Sequence, residues 1–138
     1  MKEIFAVIIH IVTAVLLLIT SLCDIKEKAI PIITPVLIAV AGAVYAVFCD
    51  PSAFIRMLVI GIVFFLIACV SRQSIGYGDV AVVTGLALIV DVCSFILLLS
   101  TAFFLCGIYS VIMKIKSGEK AEIAFVPFIS IGYFLALL

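Results

Sequence analysis

Residues 80–113 read VAVVTGLALIVDVCSFILLLSTAFFLCGIYSVIM, and Asp91 is the only charged side chain among them. As one helix this stretch would be about 50 Å long at 1.5 Å per residue, against a hydrocarbon core about 30 Å thick. It is too long for a single crossing, so it predicts two, with the chain folding back near Asp91. Outward from it the rest of the chain has the same character, with further apolar runs at 4–23, 29–49, 53–70 and 121–138. The stretch itself divides into 80–94 and 95–113. The predicted fold is all-α, a polytopic transmembrane helical bundle of about six spans forming one domain over residues 1–138. Composition agrees: 68% of residues are hydrophobic and 12% charged, and the mean hydropathy of +1.59 leaves too little polar surface for a domain in water.

The formal net charge is zero, which gives no reason to expect nucleic acid as a partner. Lys and Arg in short loops are retained on the cytoplasmic side. Lys26, Lys28, Arg72, Lys114, Lys116 and Lys120 fall in the first, third and fifth loops, and only Lys2 and Arg56 lie toward the other face. This predicts a multi-pass protein of the cytoplasmic membrane with both termini outside and the odd loops in the cytoplasm. Lys2 before the run at 4–23 has the outline of a signal peptide, but the run exceeds the usual hydrophobic region of about 7 to 15 residues and no small-x-small site closes it. It is expected to be a retained first span.

Cys23, Cys49, Cys69, Cys93 and Cys106 stand singly, without a C-x-x-C pair, so neither a metal knuckle nor a disulfide framework is indicated. His10, within the first run, is expected either to bond a neighbouring helix or to face a polar cavity. Pro31 and Pro35 fall at the start of the second span and Pro127 in the second turn of the sixth, where a missing amide costs least.

Two carboxylates stand apart. Asp24 closes the first span and Asp79 opens the fourth, so an alternating path returns both to one membrane face. Each has an ordinary explanation: Asp79 as the cap of the helix it begins, Asp24 as part of a solvated loop with Lys26, Glu27 and Lys28. Held near one another, two such groups cannot easily both ionise, so one keeps a proton while the other can deprotonate water. Peptide hydrolysis by an aspartic pair requires that division of labour. Asp79 ends Ser74-Ile75-Gly76-Tyr77-Gly78-Asp79, in which Gly76 and Gly78 allow a substrate strand close to the backbone.

Gly76-Tyr77-Gly78-Asp79-Val80 resembles the GxGDV motif of the type IV prepilin peptidases, a group of GxGD membrane aspartic proteases. Asp24-Ile25-Lys26-Glu27-Lys28-Ala29-Ile30-Pro31 is similar to that family's first site, an Asp followed by a short basic segment and Ile-Pro, and Pro127-Phe128 resembles its closing Pro-Phe. The resemblance runs over nearly the whole chain. It implies an aspartic endopeptidase with Asp24 and Asp79 catalytic and Gly76, Gly78, Pro31 and Pro127 supporting them. The expected substrates are the leaders of type IV prepilin or pseudopilin-like precursors, cut at the cytoplasmic face, commonly after a glycine. No cofactor and no metal are called for.

The sequence departs from the family pattern at Ala81, where Lys is common, at Ile32, where Asn is, and at Ile129-Ser130, where Gly-Pro is. Those differences bear on substrate preference. Longer members carry a cysteine-rich cytoplasmic segment and also methylate the new N-terminus; this chain has no such segment, and peptidase activity without methyltransferase activity is expected. Competing readings are a proton or cation relay through Asp24, Asp79 and Asp91, with Asp91 expected at the opposite face, a non-catalytic scaffold of a pilus or secretion system, and cleavage within a target's membrane segment.

Overall fold

The computed structural model describes residues 1–27, 32–70, 77–118 and 124–137. Among them run six helices: α1 (Lys2–Glu27), α2 (Ile33–Phe48), α3 (Ala53–Val70), α4 (Tyr77–Ala87), α5 (Val92–Ser117) and α6 (Val126–Leu137). The expected all-α membrane bundle is what forms. α1, α3 and α5 are long and apolar enough to cross a bilayer, whereas α2, α4 and α6 are shorter apolar helices.

The chain reverses where its single charge interrupts residues 80–113. α4 stops at Ala87, a turn covers Leu88 to Val90, and Asp91 caps α5 by accepting a hydrogen bond from the Ser94 amide at 3.3 Å. The fourth helix is therefore shorter than the 80–94 span expected, and the fifth starts earlier. α5 ends on Gly118, whose φ of 66° suits the left-handed cap that follows a last turn carrying Lys114 and Lys116. Pro127 falls in the first turn of α6 rather than the second, because α6 begins only at Val126.

α4 is the packed centre, with Val82, Leu86 and Ala87 fully buried between α2 and α3. α2 leans on α1, α1 on α6, and α6 on α5, which returns to α4. Small residues permit these approaches, as expected where lipid removes the hydrophobic drive between helices. A Cβ on Gly42 would lie 2.7 Å from Leu88 Cβ, and one on Gly132 only 2.5 Å from the Leu98 carbonyl oxygen.

The buried side of α1 is Ile9, Thr13, Leu17, Thr20, Ser21 and Asp24, spaced three and four apart and thus one face. Its hydroxyls donate to carbonyls one turn back, Thr13 to Ile9, Thr20 to Leu16 and Ser21 to Leu17. The face meets α6 in a polar seam. Ser21 and Ser130 hydroxyls are 2.5 Å apart, and Tyr133 Oη lies 2.8 Å from His10 Nδ1. His10 thus meets both expectations, bonding a neighbouring helix and lining a cavity.

Arg56 joins three elements at the far end. Its Nε donates to the Ala87 carbonyl at 2.9 Å, closing the C-terminal end of α4, and Nη1 pairs with Asp50 at 3.3 Å.

Candidate active site

Asp24 does not sit in a solvated loop. α1 continues as helix through Glu27, which carries Asp24 round to the buried face, where only 6% of the residue is exposed. Its carboxylate faces the start of α6 and accepts a hydrogen bond from the Val126 amide at 3.3 Å. The first amides of a helix have no partner within it and carry its positive end. At α6 all are accounted for: Val126 donates to Asp24, Pro127 has none to offer, and Phe128 and Ile129 donate to the Phe125 carbonyl.

Asp79 lies half-buried in the first turn of α4, after Tyr77 and Gly78. Tyr77 is exposed, its ring 6.3 Å from that of Phe65 on α3.

Segment 103–109 of α5 packs beside the start of α6. Phe103 meets Phe125 with ring centroids 5.3 Å apart and Tyr109 meets Phe128 at 5.7 Å, so this stretch flanks the start of α6 where Asp24 is held. The other ends of α1, α4 and α6 meet around the shared lining of His10, Ile89, Val90 and Tyr133. The two aspartates therefore belong to one end of the bundle, approached from α1 and α6 on one side and from α4 on the other. Asp50, Arg56 and Asp91 gather around Tyr45 at the opposite end.

Of the remaining residues singled out by sequence, Gly78 precedes Asp79 within α4, and Pro127 follows Val126, whose amide donates to Asp24. Gly76 and Pro31, with Lys28, Arg72 and Lys120, lie outside the described residues. Sequence reasoning did not anticipate the Val126 amide, Ser21 with Ser130, or Arg56 as a helix cap. One signal was available for the α1 side: His10, Thr13, Thr20, Ser21 and Asp24 all project on a single face of an otherwise apolar helix. Among the described residues no group of three or more His, Cys, Asp or Glu side chains could hold a metal ion.

An apolar helical bundle with two acidic side chains gathered at one end is a multi-pass membrane protein with a polar site at the margin of its core. The chain belongs to the type IV leader peptidase family, which it matches over residues 11–111, a region that contains both Asp24 and Asp79 and ends before α6. That membership supports a membrane peptidase role. No curated protein and no solved structure gives a significant match.

Proposed function

We propose that this protein is an aspartic endopeptidase that removes the leader of type IV prepilin-like precursors at the cytoplasmic face, with Asp24 and Asp79 as its catalytic pair. What supports this is the family match over residues 11–111, which holds both aspartates, together with their positions near the C-terminal end of α1 and in the first turn of α4.

In the proposed reaction one aspartate, ionised, takes a proton from a water as its oxygen attacks the scissile carbonyl carbon. The other, protonated, donates to the carbonyl oxygen as negative charge builds there. The tetrahedral intermediate collapses when the amide nitrogen leaves with a proton. Neither group can perform both halves of the work, so the pair acts as a unit. Gly78, directly before Asp79 and without a side chain, would admit the backbone of the precursor there. The six basic residues of the odd loops orient this end to the cytoplasm, with both termini outside. Five isolated cysteines and short connections between helices support a peptidase that does not methylate its product.

The test is cleavage of a prepilin-like precursor by purified protein in liposomes, with leader release read by mass spectrometry. Asp24→Asn and Asp79→Asn should each abolish release, and the double variant should be no worse than either. Glu3→Gln, an exposed carboxylate in the first turn of α1 far from Asp24, should cleave at the unaltered rate. Substantial turnover by either aspartate variant would exclude the mechanism.

A further inference from the structure

At the end of the bundle away from the aspartates lies a cavity of about 220 Å³, lined on its polar side by His10, Tyr45, Asp91, Ser94 and Tyr133 and floored by Ile89 and Val90. Four separately placed elements contribute: α1, α2, the α4–α5 turn running into α5, and α6. The three rings form a row with His10 in the middle, its centroid 5.8 Å from that of Tyr45, edge to face, and 6.2 Å from that of Tyr133. The proposed peptidase chemistry uses none of these residues.

The charge of this cavity is negative. Asp91 is exposed at its rim, and the Ser94 hydroxyl and amide hold the carboxyl below the usual carboxylate range, so it is ionised at neutral pH. Arg56, on α3, is committed to Asp50 and to the Ala87 carbonyl. An anion would be repelled here. A metal ion would find only one carboxylate and one imidazole, too few donors. An apolar ligand would strip water from hydroxyls and a carboxylate without replacing their hydrogen bonds. What fits is a cation that donates several hydrogen bonds and presents a diffuse charge to aromatic faces.

We propose that this cavity binds a primary ammonium group, with the Asp91 carboxylate as counter-charge and the partly exposed Tyr45 as an aromatic wall. An ethanolamine lipid headgroup and a free small amine both offer that chemistry, and the cavity opens at the end of the bundle where either could reach it.

The experiment uses the full chain, labelled with fluorotyrosine, in nanodiscs, with the Tyr45 and Tyr133 fluorine resonances as readout. In one arm the nanodisc lipid is phosphatidylglycerol alone and free ethanolamine is titrated; in the other, phosphatidylethanolamine replaces it stepwise without free amine. A saturable shift of both resonances is expected in at least one arm. Response in the lipid arm alone identifies a headgroup, response to the free amine alone identifies a soluble ligand, and either supports the site. Asp91→Asn, which keeps a side-chain acceptor for the α5 cap, should weaken the response by about tenfold. Tyr45→Leu, which removes that wall and leaves the His10 to Tyr133 bond, should weaken it as well. No saturable shift in either arm, an equal response to ethylene glycol, which replaces the ammonium with a hydroxyl, or an undiminished response in Asp91→Asn would each overturn the proposal.

Discussion

Gly132→Ala isolates the contact that seats α6. The added Cβ would lie 2.5 Å from the Leu98 carbonyl oxygen and 3.3 Å from Leu98 C and Cα, and the obstacle is backbone, not the end of a flexible side chain. Restoring an ordinary contact of about 3.4 Å requires α6 to withdraw from α5 by close to 1 Å, an overpacking strain of about 1–3 kcal/mol. The displacement also threatens the 3.3 Å bond from the Val126 amide to Asp24, already near the limit of a useful hydrogen bond. Gly107→Ala on the exposed side of α5 is the matched comparison, since a Cβ there meets nothing within 4 Å and a helical Gly-to-Ala change favours the helix by roughly 0.5–1 kcal/mol. Thermal unfolding in one detergent should place Gly132→Ala several degrees below the parent and Gly107→Ala at or above it, and leader release should fall in the first variant only. If the two variants were equally stable, the close approach of α6 to α5 would not be a real constraint.

Reporter fusions after Lys28 and Lys116 should report the cytoplasm and one after Asp50 the outside; the opposite pattern would put the aspartates on the wrong face for a cytoplasmic leader. Purified protein given precursor and a methyl donor should yield an unmethylated product N-terminus, and a methylated one detected by mass spectrometry would contradict the reading. Asp50, bonded by the Ser52 hydroxyl and then by Arg56, and Asp91, bonded by Ser94, both have carboxyls held below the ordinary range. Such groups contribute stability above the unfolded value of about 3.9 and lose it as pH falls through the folded one, so the unfolding temperature should be level from neutral pH to about 5 and drop below about 4.

The bundle was legible in sequence because apolar length is a physical requirement of the bilayer and cannot be disguised. The reversal at Asp91 was legible for the same reason, since 34 residues exceed one crossing. What the sequence did not disclose is where the helices end. Asp24-Ile25-Lys26-Glu27 has the composition of a loop, yet it stays helical, because the α6 terminus offers Asp24 an amide that a solvated loop would not. That partner lies 102 residues away in the chain. α4 likewise ends at Ala87 in the middle of an apolar run, where nothing local marks a stop; the stop comes from Arg56, 31 residues earlier. Both are tertiary partners for backbone groups, and hydropathy carries no trace of them.

Those two contacts obey one rule. A helix shorter than the roughly 20 residues of a full crossing leaves unpaired peptide groups where water is scarce, and each must find a partner of the right sign. At the C-terminal end of α4 the partner is a guanidinium, at the N-terminal end of α6 a carboxylate, each matched to the charge of the helix end it closes. Asp24 thus holds a structural position whatever chemistry it performs, and the two roles separate by substitution. Asn keeps an oxygen that can accept from Val126, so Asp24→Asn should unfold near the parent temperature while releasing no leader. Asp24→Ala removes the acceptor as well and should lose about 0.5–2 kcal/mol, the usual cost of a missing cap. Arg56→Ala, which strands the Ala87 carbonyl and leaves Asp50 without its ion pair, should cost a similar 1–3 kcal/mol or so at the other end. If Asp24→Ala proved as stable as Asp24→Asn, the carboxylate would not be closing α6, and the placement of α6 would have to rest on Gly132, the Ser21–Ser130 and His10–Tyr133 contacts and the rings packed against α5.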